Sequence, residues 1–184
     1  MKRLLTLIAA AILTSCSQPG KTYYVLTASG PVPSGGGIGI GVGPVNLAEY
    51  IDRPNLVTQQ APNQLGVAED HRWAGDLNAS IARVTAANLG RQLHTGNVRT
   101  YPWQADGGLT YQITLDIRQL HSDLDGSAVI EAGWRAYSLP DRHLKASKSF
   151  TDREPLATDG YNASVAAQSR LLERLAENIA ASLR

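Results

Sequence analysis

Two short stretches near the N-terminus contain residues whose types and spacing could support chemistry. The first is Leu13-Thr14-Ser15-Cys16, in which an aliphatic residue and two small residues precede the single cysteine of the chain. This is the pattern of a lipobox, at which a signal peptide is cleaved and the cysteine is acylated on its sulfur and its amino group. The second is the run "SGGGIGIGVG" from Ser34 to Gly43, which would bind phosphate if its glycines had the spacing of a nucleotide-binding loop.

The residues around the lipobox predict export and lipid anchoring. Lys2 and Arg3 precede a ten-residue apolar run that is too short to span a bilayer, as in a secretory signal. We therefore expect residues 1–15 to be a signal peptide and Cys16 to carry acyl chains such as palmitate, several of which give stable anchoring. The alternative is an ordinary signal peptide followed by an incidental cysteine. Ser17 stands where aspartate would signal inner-membrane retention, which favours an outer-membrane location facing the periplasm.

The remaining chain predicts one domain close to the membrane. Residues 16–22 form a short tether that reaches at most ~25 Å when fully extended, and residues 23–184 are long enough for a single domain with a sizeable core. The full chain has 17 basic and 16 acidic residues, of which Lys2 and Arg3 belong to the predicted signal. This balance, without runs of like charge, argues against nucleic-acid binding.

The glycine run does not have the spacing that phosphate binding requires. Gly35, Gly37, Gly39 and Gly41 each lack a glycine or alanine five residues later, and no Gly-Lys-Ser/Thr sequence follows. What remains is an alternation of apolar residues with glycine between Ile38 and Gly43, which predicts a strand with one bare face. We expect something to pack closely on Gly39 and Gly41. Pro44 cannot donate a ladder hydrogen bond, so we expect the strand to end there or to lie at an edge.

Patterns along the rest of the chain predict an α+β fold with two layers, a mostly antiparallel sheet and two helices packed on one face. Alternating residues predict strands, and apolar residues three or four apart predict helices. The predicted strands are 23–26, a hairpin of 56–58 with 65–67, 110–118, 128–137 and 143–150, and the predicted helices are 73–93 and 165–183. In the two long strands one side is polar, comprising Gln112, Thr114, Asp116, Arg118, Glu131 and Arg135. This side is either solvated surface or a polar protein interface.

Catalysis has little support in the sequence. The four histidines (His71, His94, His121 and His143) are scattered without the spacing of a metal site, and no Gly-x-Ser-x-Gly motif is present. We therefore predict no enzyme activity, no catalytic residue, no metal and no cofactor.

The string Tyr50-Ile51-Asp52-Arg53-Pro54 predicts a turn with two alternative roles. Asp52 and Arg53 either satisfy backbone groups around the bend, or they are displayed for a partner. The candidate interface residues are Tyr50, Asp52, Arg53 and Pro54, together with Gly39 and Gly41. The tryptophans Trp73, Trp103 and Trp134 are predicted to be core residues because each lies at the edge of a regular element.

Several motifs together resemble one protein family. These are the lipobox, "TYYVL", "IGIGVGPVNLAEYIDRPNLV", "DHRWAGDL", "YPW" and "AAQSRLLERLAENIA", in that order from Thr22 to nearly the C-terminus. The chain resembles the ABC-type transport auxiliary lipoproteins, and the most specific segment is Gly43-Pro44-Val45 followed by residues 50–54. Ala48 departs from the proline that the family pattern favours before Glu49-Tyr50, which bears on the local turn only.

The resemblance implies an accessory role in lipid transport between two membranes. Its partners would be an MCE-domain protein that forms a tube across the periplasm and an inner-membrane permease-like protein. The chain would then be a docking component at the outer membrane without a catalytic role. A tubular partner would favour a cyclic homo-oligomer. Two other classes stay open at this point: a carrier that binds lipid itself, and a structural envelope lipoprotein without a transport partner.

Overall fold

The computed structural model of the chain describes residues 20–31, 33–104, 108–139 and 141–184. The predicted signal peptide, Cys16, the first residues of the tether and Pro140 lie outside the described residues. Within these ranges the chain forms eight β-strands and two α-helices, which we number in chain order. They are β1 (Thr22–Tyr24), β2 (Ile40–Leu47), β3 (Asn55–Ala61), β4 (Gln64–Trp73), α1 (Leu77–Gln92), β5 (Val98–Thr100), β6 (Tyr111–Ser122), β7 (Ser127–Ser138), β8 (Leu144–Pro155) and α2 (Tyr161–Ala181).

The strands form one curled mixed sheet in which β6 occupies the centre. One edge of β6 pairs with β7, which pairs in turn with β8, and both pairings are antiparallel. The other edge of β6 pairs in parallel with β2 and, at Thr58↔Ser122, with β3. Strand β5 then extends the sheet beyond β2, while β4 and β1 extend it beyond β3. The α+β class is confirmed, although β1–β4, β2–β5 and β2–β6 are parallel pairs.

Both helices cover the same face of this sheet. The registers Val42↔Ile113 and Ile113↔Ala136 place buried side chains of β2, β6 and β7 on one side, and helix α1 packs against β2 while α2 packs against β7. The two helices also pack against each other, which completes one apolar core. Trp134 is fixed in that core because its indole Nε1 donates to Asn178 Oδ1 of α2 at 3.1 Å. We call this side of the sheet the helix face and the opposite side the outer face.

The predicted elements are present with shifted ends. Helix α1 begins at Leu77 instead of Trp73, because residues up to Trp73 continue β4 and the Asp76 carboxylate accepts from Ala79 N at 2.7 Å as the N-cap. Helix α2 extends from Tyr161 to Ala181, and β6, β7 and β8 extend beyond their predicted ranges. The short strand β5 was not predicted, since three residues are too few for a periodic pattern.

Of the two alternatives predicted for Pro44, the second holds: the strand does not end there, and Pro44 lies on an edge of β2 without a neighbouring strand. Strand β2 continues through Pro44 to Leu47, with a register shift against β6 between Val42 and Val45. Pairing with β5 stops at Val42, so Pro44 lies where β2 has no neighbour on that side. A proline is therefore tolerated because it sits at a bulge without a ladder partner to satisfy.

Candidate partner-binding face

The polar side of the long strands forms the outer face. Its pairs across β6 and β7 include Gln112↔Tyr137 and Thr114↔Arg135. Asp116 and Arg135 are exposed, whereas their neighbours in sequence are buried, and Arg118 is exposed where β6 shifts register. The predicted polar face is therefore present, and it is the side that neither described helix covers.

Three open grooves follow one another along β6 and β7 on this face. The aromatic groove, of about 510 Å³, is lined by residues that include Tyr101, Trp103, Gln112, Tyr137 and Arg142. The middle groove, of about 260 Å³, is lined by Asp116, Arg118, Arg135, Ser147 and Ser149 among others. The Tyr50 groove, of about 470 Å³, is lined by Tyr50, Gln119, His121 and Arg153 and by the β3–β4 hairpin. The three grooves lie one after another along β6 and β7 on the outer face.

The bare face of the glycine strand is covered by the chain itself. A Cβ on Gly39 would lie 1.7 Å from the Gly108 carbonyl oxygen, and one on Gly41 would lie 2.8 Å from the Trp103 ring. We call residues 101–104, 108 and 109 the covering segment. Tyr101 N donates to Val42 O at 2.8 Å, which holds this segment along β2. The close approach predicted for Gly39 and Gly41 is thus present. Both glycines are buried under this segment, so they support the wall of the aromatic groove instead of forming its surface.

Two of the three tryptophans are core residues, as predicted. Trp73 is 7% exposed and Trp134 is 1% exposed. The prediction is wrong for Trp103, which is only half-buried and lies on the outer face over Gly41. Tyr101 stands edge-on to it, with ring centroids 5.6 Å apart, and is itself 57% exposed. The "YPW" segment therefore forms a partly exposed aromatic wall.

The turn at residues 50–54 is held by backbone bonds. Ile51 N and Asp52 N both donate to Ala48 O, at 3.0 and 3.1 Å, and Trp73 N donates to Pro54 O at 2.7 Å. The side chains of Asp52 and Arg53 make no hydrogen bond or ion pair with any described residue. Asp52, Arg53 and Pro54 are all exposed. The alternative in which these two side chains satisfy the backbone is therefore wrong. Their role as partner contacts stays a prediction.

Tyr50 attaches the turn to the sheet. Its hydroxyl donates to Arg118 O at 3.0 Å, at the position where β6 shifts register between Ile117 and Gln119. Its ring lies edge-on to His121, with centroids 5.9 Å apart. Burial, and secondarily the charge of Glu131, raises the pKa of Tyr50 to about 12. The hydroxyl therefore stays a donor to Arg118 O at neutral pH, and the role of Tyr50 as a partner contact stays a prediction.

Charge is distributed unevenly along the outer face. Arg118 pairs with Glu131 at 3.3 Å near its middle, and Arg153 pairs with Asp123 and Asp125 at the Tyr50 groove. The side chains of Arg135 and Arg142 make no hydrogen bond or ion pair with any described residue. These two side chains thus place positive charge that no described residue neutralises at the middle and aromatic grooves. On the helix face, by contrast, the arginines Arg170 and Arg174 pair with Asp152 and Glu154 of β8.

The four histidines do not lie together in one site. His71 accepts or donates a 2.8 Å bond with Tyr24 and stacks on Tyr161 at 3.9 Å, which ties β1 and β4 to α2. His121 is buried, whereas His94 and His143 are exposed. Within the described part of the chain, no group of three or more histidine, cysteine, aspartate or glutamate side chains could hold a metal ion. Neither described helix is long and apolar enough to cross a membrane.

The fold thus defines the protein's class: it is a two-layer α+β domain whose polar sheet face is not covered by either described helix. The family model of the ABC-type transport auxiliary lipoprotein component matches residues 24–180. The chain belongs to this family, as the motifs predicted. The family is named for an accessory role in transport and not for a catalytic activity.

Similar proteins agree with this assignment. The chain is 25% identical over 140 residues to the intermembrane transport lipoprotein PqiC of Escherichia coli K12, a match that covers 73% of each chain. The values for PqiC of Shigella flexneri are the same. Among solved structures, an uncharacterized protein superimposes with a TM-score of 0.75 at 23% identity, covering 90% of this chain and 100% of that one. The protein XCC0632 of Xanthomonas campestris gives 0.67 at 20% identity, covering 86% and 92%. These two structures share the fold.

Proposed function

We propose that this chain is an outer-membrane-anchored accessory lipoprotein that docks a periplasmic MCE-domain protein during lipid transport between membranes. The observation that carries this proposal is the outer face: a sheet surface with three consecutive grooves that no element of the described chain covers. A long, polar and grooved surface with aromatic side chains at one end has the composition of a protein interface. The name of the PqiC relatives supports intermembrane transport as the setting.

The proposed anchor agrees with the position of the first strand. Strand β1 begins at Thr22 and pairs in parallel with His71–Trp73 at the edge of the sheet. Five residues separate Cys16 from Thr22, so acyl chains on Cys16 would hold this edge within ~25 Å of the membrane. The domain would then work as a receptor at the membrane surface, where an inner-membrane permease-like protein reaches it only through the tubular partner. A cyclic assembly of several copies would match such a tube.

A lipid carrier would require a different site. Acyl chains bind in enclosed cavities that are mainly lined by hydrophobic residues. The grooves of the outer face are open and include charged side chains such as Arg135, Arg142 and Arg153. We therefore favour docking over carriage, and no described feature favours the structural-lipoprotein alternative.

The proposal is tested by mild crosslinking in cells, followed by detergent extraction and mass spectrometry of the proteins attached to the lipoprotein. We expect an MCE-domain protein among them. A parallel strain carrying Cys16→Ser is expected to lose the acyl labelling that the wild type shows. Co-purified phospholipid without any protein partner would contradict the docking role. Equal acyl labelling of the wild type and Cys16→Ser would contradict the anchor.

A further inference from the structure

The aromatic groove and the middle groove contain arginine side chains without a described partner, which the Tyr50 groove lacks. Their lining includes the side chains of three arginines (Arg118, Arg135 and Arg142) and one carboxylate, Asp116. Arg118 is paired with Glu131. Lys148 borders the middle groove in the chain, but its side chain points to the helix face, where Nζ donates to Ser182 Oγ at 2.9 Å. Arg135 and Arg142 therefore remain as the two guanidinium groups without a partner among the described residues. Arg135 is exposed on β7, and Arg142 lies in the turn that connects β7 to β8.

Apolar contact surface lies directly beside these arginines. The ring of Trp103 stands over Gly41, and the exposed Tyr101 stands edge-on to it. Tyr137 lines the same groove and pairs in register with Gln112, whose side-chain amide donates to Gly43 O at 2.9 Å. The aromatic floor and wall are thus fixed by packing against the backbone of β2, while their outer surfaces stay accessible.

We propose that the aromatic and middle grooves bind an extended acidic segment of a protein partner. In this arrangement one or two apolar side chains of the segment contact Tyr101, Trp103 and Tyr137. Carboxylates further along the segment pair with Arg142 and Arg135. The inference rests on the proposed docking function and specifies the surface and the chemistry of the docked segment. Charge complementarity is its basis, because guanidinium groups form bidentate hydrogen bonds with carboxylates. A segment of about five to six extended residues would span both grooves, at ~3.4 Å per residue along the strands.

The test uses the mature chain with Cys16→Ser and a displayed library of random twelve-residue peptides. We expect selected peptides to be enriched in aspartate or glutamate next to aromatic or aliphatic residues. The double variant Arg135→Glu/Arg142→Glu should bind those peptides at least about 30-fold more weakly, a change that corresponds to the loss of a well-formed charge contact. The neutral variant Arg135→Gln/Arg142→Gln should give a smaller loss. Both substitutions are at surface positions, and circular dichroism checks that the fold is retained.

A charge-matched control isolates the grooves. Lys21→Glu/Arg184→Glu changes the net charge by the same amount at exposed positions outside both grooves. We expect it to bind the selected peptides like the wild type. Two results would overturn the inference: selected peptides that are not enriched in acidic residues, or a control variant that binds the peptides as weakly as Arg135→Glu/Arg142→Glu. Binding to phosphatidylglycerol vesicles that depends on Arg135 and Arg142 would also overturn it, since the arginines would then recognise a lipid headgroup.

The outcomes separate this inference from the proposed function. Crosslinking to an MCE-domain protein in cells that persists in Arg135→Glu/Arg142→Glu would leave the docking role intact and refute the groove assignment. In the converse case, acidic peptides are selected whose binding depends on both arginines, while no MCE-domain protein is crosslinked in cells. That result would support the groove assignment and refute the docking role.

Discussion

Replacing Gly39 with alanine tests whether the close packing of the covering segment is the reason that this position requires glycine. The added methyl group would lie 1.7 Å from the Gly108 carbonyl oxygen and 2.8 Å from Leu109 Cα. Both are backbone atoms, so no side-chain rotation can relieve the overlap. The covering segment would have to move away from β2. Gly39 O accepts from Thr110 N at 2.7 Å, and the Asn97 amide donates to Gly108 O at 2.8 Å, so both bonds would be strained or lost.

The expected magnitude follows from these contacts. Overpacking of a close-fitting site costs about 1–3 kcal/mol, and each of the two hydrogen bonds contributes about 1 kcal/mol net. We therefore expect Gly39→Ala to lower the free energy of unfolding by about 3–5 kcal/mol. For a domain of this size that is a decrease in Tm of about 6–20 °C.

The assay is urea denaturation of the Cys16→Ser mature chain, monitored by tryptophan fluorescence, to which the buried Trp73 and Trp134 contribute. Gly36→Ala is the matched control, because a Cβ at Gly36 meets no atom within 4 Å and its change should stay within about 0.5 kcal/mol. Gly41→Ala should fall between them, since its clash is with the Trp103 ring, which can tilt. Equal stabilities of Gly39→Ala and Gly36→Ala would refute the close packing of residues 108 and 109 on β2.

Three further predictions concern the helices and the edge strand. Asp76→Ala removes the N-cap of α1 and should cost about 1 kcal/mol in denaturation, while Asp76→Asn should retain most of the wild-type stability. Trp134→Ala should cost about 3–5 kcal/mol because it leaves a cavity in the core, whereas Asn178→Ala removes only the partner of the indole and should cost about 1–2 kcal/mol. Arg174, and then Arg170, hold the pKa of Glu154 below its ordinary value near 4.5. A carboxyl group with a lower pKa in the folded chain contributes stability above its unfolded pKa and loses that contribution as the pH falls through its folded pKa. The stability difference between wild type and Glu154→Gln should therefore be largest above about pH 5 and decrease in acid, and a difference independent of pH would contradict the pairing.

Much of the fold could be predicted from periodicity because each long element has one buried side. Apolar side chains alternate in β6 and β7 and recur every three or four residues in α2, and each pattern was recognisable without knowledge of its neighbours. Strand direction was not recognisable in the same way. Alternation is identical in parallel and antiparallel strands, so the parallel position of β2 beside β6 had no signal in the sequence.

The candidate site was predictable only in part for a similar reason. The polar character of the outer face followed from the residues that alternate with the core. The role of Trp103 did not, because its contact with Gly41 connects positions 62 residues apart, and its position near an element edge suggested burial instead. One signal for this contact was present: three glycines, Gly39 just before β2 and Gly41 and Gly43 within it, leave one face bare, and an aromatic segment of the same chain can fill that space. Arg142 was missed because nothing local indicates that its turn returns to the groove.

The central claim is that the outer face, and not the helix side, contacts the partner. Position-specific photo-crosslinking in cells tests it most directly, with the crosslinking amino acid placed at Ser149 in the middle groove or at Ala166, an exposed position on α2. We predict a covalent adduct with an MCE-domain protein from Ser149 and none from Ala166. An adduct from Ala166 alone would contradict the account, because the partner would then bind the layer of helices.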